Sequence, residues 1–200
     1  MAERAFVVGL SGVPGAGKTT LTQLLMQECK AASVVYYDQF QMLTRMMPEQ
    51  IREWFARGGD PNEFSLSELI GELTRRTRIE RSDRPRPLVL FETPFGRLHR
   101  ASGAFIDFLV WIDTPLDLAL SRAILAFLEA AQQDKAPNAA PDFVKWQIQY
   151  MLNYPIVRPL YLAQRKSISS AADLVLDGTL PVTGLATLVR EALAGRGMVS

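Results

Sequence analysis

The chain has 200 residues, is 48% hydrophobic, and sets 22 Lys and Arg against 21 Asp and Glu for a formal net charge of +1. That length and apolar content suit one globular domain, residues 1–200, with a sizeable core. The even charge balance gives no footprint for nucleic acid or an anionic membrane, no stretch nears the ~20 apolar residues of a bilayer span, and the single cysteine, Cys29, excludes an internal disulfide. No signal-peptide pattern opens the chain, because its first apolar run is short and leads straight into a glycine-rich turn; the expected setting is cytoplasmic.

Ala5 to Leu10 reads as a buried strand, and Thr19 to Lys30 as a helix with Leu21, Leu24, Leu25 and Cys29 on one face. Between them, Gly12-Val13-Pro14-Gly15-Ala16-Gly17-Lys18-Thr19 matches G-x-x-x-x-G-K-[ST], the phosphate-binding P-loop, with Thr20 following. The glycines let backbone N–H groups turn inward as a nest for phosphate oxygens. Lys18 is then placed for the β- and γ-phosphates and the Thr19 hydroxyl for Mg²⁺, at the positive end of the following helix. Strand and helix flank the motif as it requires, which makes this stretch the expected nucleoside-triphosphate site.

Ser33 to Tyr37 is a second β-rich run ended by Asp38, and Pro48 opens a helix to about Arg57. After the loop Gly58–Asn62, Ser65 with Glu68 predicts a capping box and Phe64 with Leu69 a hydrophobic staple. The arginine-rich stretch from Arg75 to Arg86 fits a solvated helix end better than a nucleic-acid surface, since no aromatics are interleaved. Leu88 to Phe91, closing on Glu92, is the third strand; a short helix is expected over Arg97 to Ala104, and Phe108 to Ile112 is the fourth strand. Thr114-Pro115-Leu116-Asp117 predicts a helix start, which explains Asp113 and Asp117 without a ligand role. That helix runs to about Ala130, and Gln132 to Pro141 is a candidate mobile connection. Asp142 to Arg165 is mostly helical with interruptions near Pro155 and Pro159. Leu174 to Leu176 and Val182 to Leu193 close the chain as strand and helix. His99, the single histidine, is expected at the surface or at a helix start.

Strands alternating with helices predict an α/β fold: a P-loop NTPase-type three-layer sandwich with a five-stranded parallel sheet covered on both faces. Ligands of such sheets sit at the carboxyl ends of the strands, where Gly12, Asp38, Glu92 and Asp113 should converge. Neither N-K-x-D nor D-x-x-G occurs, which argues against a GTPase.

The chain resembles the uridine kinase/phosphoribulokinase-like family of small-molecule P-loop kinases. Tyr36-Tyr37-Asp38-Gln39-Phe40 is similar to that family's strand-end aspartate and aromatic turn, and Gly59-Asp60-Pro61-Asn62-Glu63-Phe64 to its D-x-P-x-A-F loop, with Glu63 in place of alanine. Tyr154 to Tyr161, followed by Ala171-Ala172-Asp173-Leu174-Val175-Leu176, is similar to its V-x-P-x-Y segment and A-D strand. The pattern departs at Glu92-Thr93, where uridine kinases have E-G, and in a lid where Arg122 stands nearly alone.

The resemblance implies an ATP- and Mg²⁺-dependent transfer to a hydroxyl of a small metabolite, with a nucleoside or sugar as the leading class. An anionic acceptor such as a sugar phosphate, pantothenate or glycerate is the alternative, favoured if Arg57, Arg97 or Arg100 lies near it. A nucleotide-binding sensor with slow ATP hydrolysis is a third reading. Asp38 is the candidate general base at the acceptor, with Thr19, Asp38 and Glu92 as the metal set, Glu92 holding either the Mg²⁺ water shell or an acceptor hydroxyl. Glu92 also reads as a buried acid paired with Arg97. Arg122 and Arg158 are candidates to stabilise charge on the transferring phosphoryl group. Asp60 and Phe64 by resemblance, with Tyr37 and Phe40, are candidates to line the acceptor site; Asp60 reads equally as a turn residue and the aromatics as core. Residues 39–64 form the expected acceptor-side insert and about 122–141 the lid. Self-association is left open.

Overall fold

The computed structural model describes residues 4–29, 32–40, 48–79, 86–132 and 140–198. Five strands, β1 (Phe6–Ser11), β2 (Ala32–Tyr36), β3 (Leu88–Glu92), β4 (Phe108–Asp113) and β5 (Leu174–Asp177), form one sheet in the order β2-β3-β1-β4-β5. All the pairings are parallel. The three central strands are apolar almost throughout and buried along nearly their whole length, as a parallel sheet covered on both faces requires. Seven helices accompany them among the described residues: α1 (Lys18–Glu28), α2 (Pro48–Ala56), α3 (Ser67–Thr77), α4 (Arg100–Gly103), α5 (Leu116–Gln132), α6 (Ala140–Ser169) and α7 (Val182–Ala194). The expected three-layer α/β sandwich is the observed fold.

Register decides what meets at the carboxyl edge. Leu10 and Tyr36 both lie opposite Glu92, Ser11 opposite Trp111, and Asp113 opposite Asp177. The other edge is closed by two acid-centred clasps. Asp107 accepts from Val7 N–H at 2.8 Å and pairs with Arg4 at 2.7 Å. Asp173 accepts from Leu109 N–H at 2.7 Å and pairs with Arg97 at 2.7 Å.

Three local expectations are corrected, and His99 takes the helix-start place expected of it. Ser65 is not a helix cap: α3 starts two residues later behind Leu66, because Phe64 turns into an aromatic cluster with Trp54 and Phe95, centroids 5.2 and 6.4 Å away. Thr114 does not cap α5, which begins at Leu116; its hydroxyl faces the Ala16 carbonyl at 3.4 Å instead. His99 is at a helix start but buried, at the N-cap of α4 with Nδ1 2.7 Å from the Ser102 hydroxyl. Finally, α6 runs unbroken through Pro155 and Pro159. Both prolines are exposed, so the carbonyls left without an N–H partner face water and the helix continues.

The basic stretch ends α3 as expected: Arg75 and Arg76 both clasp Glu72, at 2.6 and 2.7 Å. No described helix is long and apolar enough to cross a membrane.

Candidate active site

The P-loop links β1 to α1. Gly15 and Gly17 have φ of +80° and +94°, a left-handed backbone that favours glycine. A Cβ on Gly15 would run into the Ala119 carbonyl, so the loop lies hard against α5 and has room for hydrogen only. Lys18, first residue of α1, donates Nζ–H to the carbonyls of Gly12 (2.9 Å) and Val13 (3.2 Å), which lays its ammonium across the loop. Thr22 returns its hydroxyl to the Lys18 carbonyl at 2.8 Å and steadies this first turn.

The Thr19 hydroxyl donates to Glu92 Oε1 at 3.0 Å, which joins the P-loop to the end of β3. Glu92 is only 7% exposed, and its Oε2 has no hydrogen-bond partner among the described residues; the same holds for Ser11 Oγ. Burial pushes the Glu92 carboxyl above the ordinary carboxylate range, against the pull of Lys18 and the Thr19 hydroxyl, and Asp38 pushes it the same way. Burial likewise holds Lys18 below the usual lysine range, opposed by the negative charges of Glu92 and Asp38. Lys18, Thr19, Glu92 and Asp38 therefore form one electrostatic unit at the carboxyl edge. Asp38 is its exposed member, on a single 3-10 turn (Tyr37–Gln39) directly after β2. Arg97 does not partner Glu92, since it is held by Asp173 and the Ala171 carbonyl at the opposite edge.

A carboxylate oxygen buried without a partner beside a threonine hydroxyl is hard-oxygen donor chemistry, of the kind a divalent cation takes. Glu92 and Thr19 are the side chains here that could hold a divalent cation, with Asp38 within electrostatic reach.

Other expected site residues are dispersed. Arg122 reaches the carboxyl edge, where its Nη1 donates to the Gly178 carbonyl at 2.8 Å, in the turn after β5. Arg158 is exposed on α6 near Tyr154. Tyr37 is corrected to the core: it is 2% exposed with its ring edge-on to Phe95 at 5.5 Å. Phe40 and Phe64 are half-buried against the same core. Asp60 caps the 3-10 turn Pro61–Glu63, accepting from Asn62 N–H at 2.9 Å, which is the turn role. Arg57 pairs with Glu63 at 2.9 Å. Residues 41–47 of the expected insert and 133–139 of the expected lid lie outside the described residues.

Arg165 is a residue that sequence reasoning missed. Its guanidinium grips both oxygens of Asp113 at 2.6 Å, and Trp111 Nε1–H adds a bond to Asp113 Oδ1 at 3.2 Å. The Arg165 bond is the main reason the Asp113 carboxyl titrates below its usual range. Asp113 is thus the anchor of α6 on β4. The available signal was Arg158 and Arg165 seven residues apart, hence on one face of any unbroken helix.

No protein-family model matches the sequence, and no curated protein matches it. Among solved structures the chain is similar to shikimate kinase from Aquifex aeolicus, with a TM-score of 0.52 and 18% identity over 96% of this chain and 99% of that one. It is also similar to shikimate kinase from Bacteroides thetaiotaomicron, with a TM-score of 0.50 and 13% identity over 94% and 98%. At these identities the likeness is one of fold, and it does not single out the uridine kinase/phosphoribulokinase-like family. The chain has the P-loop kinase fold.

Proposed function

We propose that this chain is an ATP- and Mg²⁺-dependent kinase that transfers the γ-phosphoryl group to a hydroxyl of a small metabolite. The observation that carries the reading is the Lys18–Thr19–Glu92–Asp38 unit: a P-loop cation, a hydroxyl, a buried carboxylate with an unpartnered oxygen, and an exposed carboxylate on the acceptor side. When bound, the metal neutralises charge on the phosphates. Lys18 leaves the Gly12 and Val13 carbonyls for the phosphates, and Asp38 accepts the proton of the attacking hydroxyl.

Arg122 and Arg158 serve the transferring group from the two lid helices. Arg165 sits on the carboxyl edge through Asp113, and α6 rises about 1.5 Å per residue. Arg158 is therefore roughly 10 Å above that edge on the same helix face. Residues 39–64 would supply the acceptor side and about 122–141 the lid.

A neutral acceptor, a nucleoside or sugar, is the preferred class, because Arg97 and Arg57 are bound to Asp173 and Glu63; Arg100, within electrostatic reach of Asp60, is the arginine that favours the anionic alternative. The solved neighbours are named as shikimate kinases, so shikimate belongs in the test. The experiment is ADP release with Mg-ATP over nucleosides, sugars, sugar phosphates, pantothenate, glycerate and shikimate, each hit repeated with Asp38→Asn. A compound that raises turnover well above the ATP-only background, with the rise lost in the variant, establishes kinase and acceptor together. Tight ATP binding with no stimulation by any compound would favour the sensor reading.

A further inference from the structure

Phe95 lies on the turn that leaves β3, just past Glu92, and it is buried. That turn is held from several sides. The buried Thr93 hydroxyl accepts from the Phe95 N–H at 3.2 Å, and the Phe95 carbonyl accepts from the Leu98 N–H at 2.9 Å. A Cβ on the next residue, Gly96, would stand 2.9 Å from Ile168 Cγ2, so the turn lies tight against α6.

Three aromatic rings meet the Phe95 ring. Tyr37 stands edge-on to it at 5.5 Å, Trp54 crosses it at 6.5 Å and Phe64 stacks on it at 6.4 Å. These are separations at which ring pairs attract beyond simple burial. Trp54 also meets Phe64 at 5.2 Å, and its Nε1–H donates to the Asp60 carbonyl at 3.0 Å. The three partners come from different elements. Tyr37 belongs to the turn after β2, Trp54 to α2, and Phe64 to the loop before α3.

Both acids of the site are attached to this cluster. Glu92 leads into the Phe95 turn, and Asp38 follows Tyr37 in a single 3-10 turn closed by Phe40 N–H to the Tyr37 carbonyl at 2.9 Å. A lone 3-10 turn is a weak support by itself. Asp38 is exposed, so the buried Tyr37 ring is what seats its turn on the body. Close-packed interiors transmit displacement from ring to ring.

We propose that Phe95 is a positioning residue for Asp38: it sets the turn that bears the base against the turn that bears Glu92 and against Trp54 and Phe64 of the acceptor-side segment. Its catalytic meaning rests on the kinase reading, in which a misplacement of about 1 Å costs on the order of 10²-fold. The seating of the turn does not rest on that reading.

The test compares Phe95→Leu with wild type, first by amide hydrogen exchange without any ligand. The Phe40 amide should exchange at least about tenfold faster, while the Leu21 amide, bonded to the Gly17 carbonyl at the P-loop, keeps its rate. Tyr37→Phe retains the ring and should leave the Phe40 rate unchanged. With the compound that most stimulates ADP release, Phe95→Leu should lower kcat roughly 10–10²-fold while KM and Mg-ADP affinity stay within about threefold. An unchanged Phe40 rate overturns the proposal, as does equal acceleration at Phe40 and Leu21, which is general loss of stability. A wild-type kcat in Phe95→Leu also overturns it. If Phe95→Leu fails to fold, Phe64→Leu cuts the same cluster at a half-buried ring and should speed Phe40 exchange at least about threefold; no rise there overturns the proposal. If no compound stimulates the wild type, the kinase reading fails, and the exchange rates alone decide whether Phe95 seats the Asp38 turn.

Discussion

Replacing Glu92 by Gln tests the centre of the site through stability, before any acceptor is known. In the wild type the carboxylate is 7% exposed with one oxygen bonded to Thr19 and the other unpartnered. Burying an ion without full compensation costs several kcal/mol, and an unpaired buried amide about 1–3. The exchange therefore relieves the larger penalty. Against it stand the weaker bond from Thr19, a loss of about 1 kcal/mol, and the lost attraction to Lys18. The net gain is about 1 kcal/mol, or a melting temperature higher by about 2–4 °C for a domain of this size.

The pH dependence carries the sign. Because burial raises the Glu92 carboxyl above its unfolded value, its contribution to stability is full below the ordinary carboxylate range and is lost as pH rises through the folded value. Glu92→Gln should therefore exceed wild type most at pH 8, and the gap should close as pH falls toward the ordinary range. The assay is a set of thermal melts at matched ionic strength, repeated with saturating Mg-ADP. There the wild type should gain more than the variant, because it alone carries the buried carboxylate. A Glu92→Gln protein that melts lower than wild type at pH 8, or differs from it equally at every pH, would refute the reasoning.

Three further outcomes are expected. Asp38→Asn should cut acceptor-stimulated turnover by about 10²–10⁴-fold, the usual worth of a positioned proton acceptor, and leave Mg-ATP affinity within a factor of about two in a titration. Gly15→Ala should lose about 3 kcal/mol in denaturant unfolding, since it combines a left-handed φ of +80° with a Cβ directed into the Ala119 carbonyl. Asp113→Asn should lose about 1 kcal/mol at neutral pH, a small figure because the pair's side chains are 41% and 29% exposed. The wild-type carboxyl titrates below its usual range, so that stability is present above the range and disappears as pH falls through the folded value. Melts of the two proteins should therefore converge in acid.

What could be read from the sequence was what a short stretch encodes by itself. The P-loop needs only local backbone freedom and a Lys-Thr pair, so Gly12 to Thr20 announces its own geometry, and an acid closing an apolar run places Glu92 at a strand end. What could not be read depended on distant partners. Arg97 looks available beside Glu92 in sequence, yet Asp173, 76 residues on, draws it to the other edge of the sheet. Tyr37 sits next to the candidate base, but Phe95 and the sheet claim its ring.

The prolines of α6 misled in a more instructive way. Read locally, Pro155 and Pro159 break the helix and leave Arg158 in an irregular segment, unrelated to Arg165. In the fold both prolines lie on the outward face, the helix keeps its phase, and the two arginines share one side. Because Asp113 holds Arg165 at both oxygens, the place that the kinase reading gives Arg158 would be inherited from a residue two turns away. A change at Asp113 should thus reach the far end of α6 without touching the P-loop. On the kinase reading, Asp113→Asn would lower kcat through a displaced Arg158 while leaving Mg-ADP affinity intact. An unaltered kcat at saturating acceptor would show that Arg158 needs no such anchor.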